Sequence, residues 1–156
     1  MNLRLSSDDP DVVTRCVLEL GTPVDQDGLW LPYVLTLQSG EREIRLADPV
    51  EGTVEGRCLL GLAPRDELAL LTEGLDDLLA GRRTRWAFEP QEPNFSLEFE
   101  AVPEGYVVHV WVDAGNQRSD HFTWDGVGIR FFTTAQAVQR FIMDGRAARA
   151  KTGAEV

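Results

Sequence analysis

The chain reads as an α+β domain in which a largely antiparallel β-sheet carries two main helices, over about residues 64–80 and 134–150. Three observations predict this. Alternating apolar residues recur in short segments, the segments are joined by hairpin-length turns, and the apolar period lengthens to that of a helix in two places. Strands, helix, strands, helix with short connections describes an antiparallel sheet with helices packed against it.

Residues 11–20 place Val12, Thr14, Cys16, Leu18 and Leu20 on one face, while Val13 and Val17 share the other with Arg15 and Glu19, as in a half-buried strand. Residues 21–28 are dense in turn formers and read as a loop. Residues 30–38 then set Leu31, Tyr33, Leu35 and Leu37 on one face. Ser39-Gly40 turns the chain into residues 41–47, where Ile44 and Leu46 alternate with charges, so a hairpin is expected.

Pro64 opens a different period. Leu68, Leu71, Leu75, Leu78 and Leu79 form an apolar stripe with Leu70 alongside it, and Pro64 in the first turn, Asp66 and Glu67 near the start and Gly81 at the end agree with a helix. Gly74 inside that helix costs about 1 kcal/mol relative to Ala, which suggests the close approach of a strand. Alternation returns in residues 84–88, 94–102 and 106–113. The Val102-Pro103-Glu104-Gly105 turn pairs the last two antiparallel, and residues 118–132 read as a further strand. Thr133 and Gln136 fit a capping box for the final helix, whose inner face carries Val138, Phe141, Ile142 and Gly145. Arg146, Arg149 and Lys151 near its end suit the negative pole of the helix dipole.

The 156 residues, 43% hydrophobic and 26% charged, suit a single globular domain over 1–156. The N-terminus turns polar and acidic within a few residues and no apolar run is long enough to span a bilayer, so a cytoplasmic location is expected. Fourteen Arg against one Lys are what a GC-rich bacterial genome produces. Cys16 and Cys58 lie in apolar strand-like segments with no neighbouring His or Cys, and read as buried free thiols.

The net charge is −11, and all but two of the 26 acidic side chains fall within residues 1–132. Such a body repels nucleic-acid phosphates and anionic lipid and steers a basic protein partner towards it, so no nucleic-acid or membrane partner is expected. No nucleophile elbow, phosphate-cradling glycine loop or zinc-ligand spacing is present, so no catalytic, cofactor-binding or metal residues are assigned. His109 shares a strand face with Val107 and Trp111, and His121 precedes Phe122. Were the two imidazoles to meet beside Asp113 or Asp120, a small-ligand site or hydrolase would follow. The aromatic residues after position 85, including Trp86, Trp111, Phe131 and Phe132, are expected mostly in the core.

The most distinctive text is Trp86-Ala87-Phe88-Glu89-Pro90-Gln91-Glu92-Pro93-Asn94-Phe95, where two Glu-Pro steps interrupt a sheet. It reads as a stiff acidic connection that loses little entropy when a partner docks. With Arg57-Cys58-Leu59-Leu60, the Leu-rich helix ending in Gly81 and the final helix, this passage resembles the WapI-type bacterial immunity family over residues 57–142. The resemblance implies a non-enzymatic cytoplasmic protein that neutralises a cognate toxin domain. It transfers no residue roles, so the partner-binding candidates rest on charge and loop placement: Glu89, Glu92, Asp113, Asp120 and Asp125. The alternative is a structural or regulatory homodimer joined through an aromatic-rich sheet face.

Overall fold

The computed structural model describes residues 1–9, 11–25, 28–46, 58–92, 94–113 and 126–152. Its first part is a six-stranded antiparallel sheet of β1 (Asn2–Ser6), β2 (Thr14–Leu20), β3 (Val24–Asp25), β4 (Leu29–Ser39), β5 (Arg42–Leu46) and β6 (Leu59–Ala63). The order is β1-β2-β4-β3, and β5 and β6 pair with successive lengths of the long β4. Helix α1 (Glu67–Leu79) leads into a four-stranded antiparallel meander of β7 (Arg85–Phe88), β8 (Phe95–Val102), β9 (Gly105–Asp113) and β10 (Gly126–Thr133). Helix α2 (Ala135–Lys151) closes the sequence of elements, and the fold is α+β.

One apolar core runs through both sheets and both helices. The inward alternation of β4, Leu31, Tyr33, Leu35 and Leu37, is buried, and so are Leu68, Leu71, Leu75 and Leu78 of α1 and Val138, Phe141 and Ile142 of α2. The helices pack on each other, α1 against β6 and β7, and α2 against β1. At the seam between the sheets the Thr133 hydroxyl donates to the Ser6 carbonyl at 2.7 Å. Ion pairs from Arg146 to Asp76 and from Arg149 to Asp66 join the helices across their polar sides. Those bases therefore answer carboxylates on α1 as well as the dipole of their own helix. The Asp66 hydrogen bond also raises the Arg149 pKa above its ordinary value.

Several boundaries differ from expectation for local reasons. Helix α1 begins at Glu67 and not at Pro64, because Asp66 caps it: Asp66 Oδ1 accepts from the Ala69 amide at 2.8 Å. Pro64 lies outside the helix, after a cis peptide bond. Leu70 points away from the stripe and is exposed. The cap of α2 is Thr134, whose side chain accepts from Ala137, which leaves Thr133 free to bond across the sheets. Strand β2 begins at Thr14, and Val12 is 47% exposed. β1 forms where the sequence offers only Leu3 and Leu5. Both are fully buried, paired with Leu18 and Cys16 of β2, and covered by α2.

Gly74 meets the strand approach its presence suggested. Trp86 of β7 lies across the helix at that position, so α1 and the second sheet come together where no side chain intervenes. This contact places the start of the meander, and with it the connection from β7 to β8, beside the start of α1.

Candidate functional site

The connection between β7 and β8 carries the paired Glu-Pro text. Pro90 is buried while Glu89, Gln91 and Glu92 are exposed. The Gln91 amide donates to Glu67 Oε1 at 2.5 Å, and the Gly61 amide donates to Glu67 Oε2 at 2.6 Å. Glu67 is fully buried in the first turn of α1. Its carboxylate faces the positive pole of the helix and satisfies two amides, that of Gly61 buried and that of Gln91 part-buried. One side chain therefore ties β6, the start of α1 and the acidic connection together.

Backbone bonds continue this arrangement to the end of β9. The Asn94 amide donates to the Glu92 carbonyl at 2.7 Å, and the Asp113 amide donates to the Asn94 carbonyl at 3.0 Å. Glu89, Glu92 and Asp113 are thereby brought to one end of the four-stranded sheet, the two glutamates exposed and Asp113 half-buried. Asp120 and Asp125 lie outside the described residues.

Beside the connection, the buried Tyr33 stands near Asn94 and Cys58. The Tyr33 ring meets Phe95 edge-on at 5.2 Å. Its hydroxyl is buried and makes no hydrogen bond of ordinary geometry, although the Asn94 side chain and the Cys58 thiol stand close enough to bear on its ionisation. Burial, more than either neighbour, pushes the Tyr33 pKa above its ordinary value. Neither Cys16 nor Cys58 is in a disulfide, both are buried, and desolvation raises Cys16 to about 12. Protonated thiols of this kind are poor nucleophiles.

The outer face of the meander differs from the core face in every row. His109 lies there with Val107 and Trp111, as the alternation predicts. It lines an open depression of about 300 Å³ together with Glu98 and Glu100. Its ring meets the edge of Trp111 at 6.2 Å. Among the described residues no carboxylate hydrogen-bonds this imidazole, and no cluster of three or more His, Cys, Asp or Glu could hold a metal ion. His121 lies outside the described residues, so the meeting of imidazoles is not part of the described site. Most of the described aromatic residues after position 85, Phe88, Phe95, Phe99 and Phe131 among them, are in the core as expected; the exceptions are Trp111 and Phe132, 42% and 37% exposed, and Trp86, which is half-buried. Trp111 is exposed because β9 carries apolar residues on both faces, and only Tyr106, Val108, Val110 and Val112 face the core.

Glu67 is the functional residue that sequence reading missed. It looks like an ordinary first-turn acid, and nothing local signals that β6 and the Glu-Pro connection close over it. The only available sign was the distinctive text of the connection itself.

No known protein-family profile matches the chain, and neither does any curated protein. Among solved structures the chain is similar to the Trypanosoma brucei MRP1/MRP2 crystal structures, at 19% identity over 96% of this chain and 94% of that one, with a TM-score of 0.41. Among the described residues no helix is long and apolar enough to cross a membrane.

Proposed function

We propose that the chain is a non-enzymatic, acidic protein-binding module of the bacterial cytoplasm, acting as an immunity protein that covers a basic toxin domain. The observation that carries this reading is the anchorage of the acidic connection: the amide between Glu89 and Glu92 is held by the buried Glu67 carboxylate, so both exposed carboxylates are presented in a fixed backbone conformation. A pre-set loop loses little conformational entropy on docking, and a body of net charge −11 steers a cationic surface towards it. Asp113 adds a third carboxylate at the same sheet end.

The test uses a basic toxin-like protein encoded next to this chain. The double substitution Glu89→Gln with Glu92→Gln is expected to slow association about fivefold at low salt while changing dissociation little, and the difference should vanish at high salt. An association rate unaltered across the salt series would overturn the assignment of these residues.

A further inference from the structure

The outer face of the β7–β10 meander carries an unpaired charge pattern that is complementary to itself. In one row across the sheet the register aligns Arg130 of β10, His109 of β9, Glu98 of β8 and Ala87 of β7. Arg130 and Glu98 are both exposed, and neither has an ion-pair partner among the described residues. They stand two strands apart, about 10 Å, with His109 between them. The adjoining row carries Phe132, Val107 and the ion-paired Glu100 and Arg85, and the row on the other side carries Gly128, Trp111 and Ser96. Trp111 therefore projects from the inner strand β9, and Phe132 from the edge strand β10.

We propose that this face binds a second copy of the chain, sheet to sheet, about a two-fold axis that runs along β9. Such an axis carries β10 of one copy over β8 of the other. Arg130 of each copy then faces Glu98 of its mate, and the two Trp111 rings meet near the axis. An axis across the strands would instead set Arg130 on Arg130 and Glu98 on Glu98, so the charges select the first arrangement. An isologous contact of this kind needs a self-complementary patch, and an exposed aromatic residue at its centre is the usual anchor. Asp113, two residues beyond Trp111, is the last residue of β9 and lies at the rim of the contact. This contact is independent of the acidic end proposed to meet a basic partner.

The experiment is sedimentation of the full chain across a concentration series. The wild type should move from monomer to dimer. Glu98→Arg alone and Arg130→Glu alone each place like charges in contact and should weaken self-association more than about tenfold. Mixing the two single variants should restore a dimer, because each mixed pair sets opposite charges together at both contacts. That recovery has no explanation within one chain, and circular dichroism of each variant checks that it is folded. A wild type that stays monomeric, single variants that dimerise as the wild type does, or a mixture no better than its components would each overturn the proposal.

Discussion

A Cβ atom on Gly74 would stand 2.1 Å from Cε2 of the Trp86 indole. Glycine in mid-helix normally costs about 1 kcal/mol relative to alanine. Here that cost is offset by contact, since β7 reaches α1 through this gap. Gly74→Ala should therefore destabilise the protein by about 1–3 kcal/mol, the range for forcing extra volume into a packed contact. In a Trp86→Leu background the same change should become neutral or stabilising, as helix propensity takes over. Urea denaturation of the four proteins measures both values, and an equal effect in the two backgrounds would contradict the account.

Glu67 accepts from the amides of Gly61 and Gln91, one on each oxygen. Glu67→Gln presents an NH2 group to one of those donors and leaves its amide without an acceptor. A loss of about 2–3 kcal/mol is expected, near the upper end for an unsatisfied buried group. The local consequence is more specific: amide exchange at Gln91 or Gly61 should accelerate by more than the change in global stability explains. Exchange that rises uniformly over the chain would mean that Glu67 acts only as a general stabiliser.

Helix α1 was legible in the sequence because four leucines at helical spacing leave no competing period, and the hairpin of β4 and β5 because Ser39-Gly40 separates two alternating runs. The start of α1 was not, since Pro64 and Asp66 offer rival beginnings and only the Asp66 bond to Ala69 decides between them. The adjacent Thr133 and Thr134 pose the same problem for α2. Strand β1 has two apolar residues and becomes a strand only because β2 pairs with it and α2 covers it, a tertiary effect. The acidic connection was visible as composition, and Glu89 and Glu92 do lie exposed on it. Its anchor was invisible, because the contact from Glu67 to Gln91 spans 24 positions.

The seam between the sheets offers a simpler test. The Thr133 hydroxyl is fully buried and donates to the Ser6 carbonyl. Thr133→Val keeps the shape, removes the donor and strands that carbonyl, so a loss of about 1–3 kcal/mol is expected. Thr133→Ser retains the donor and should lose less. A valine variant as stable as the wild type would show that the bond contributes nothing net.

The buried thiol of Cys16 sets an alkaline limit on stability. Desolvation raises its pKa from 9.0 to about 12, so between those values the unfolded chain releases a proton that the folded chain keeps. The unfolded state binds fewer protons there, and stability must fall as pH rises; below pH 9 both states hold the proton and the group contributes no slope. One full proton corresponds to about 1.4 kcal/mol per pH unit. Tyr33, raised by burial as well, adds to the slope above its ordinary value of 10.0. Cys16→Ala removes the contribution of this thiol, so its stability should decline more shallowly than the wild type's over the same interval, whatever the cavity costs at neutral pH. Parallel urea titrations of both proteins decide it: equal slopes would mean that Cys16 ionises in the folded state nearly as readily as in the unfolded one, and that its surroundings admit water.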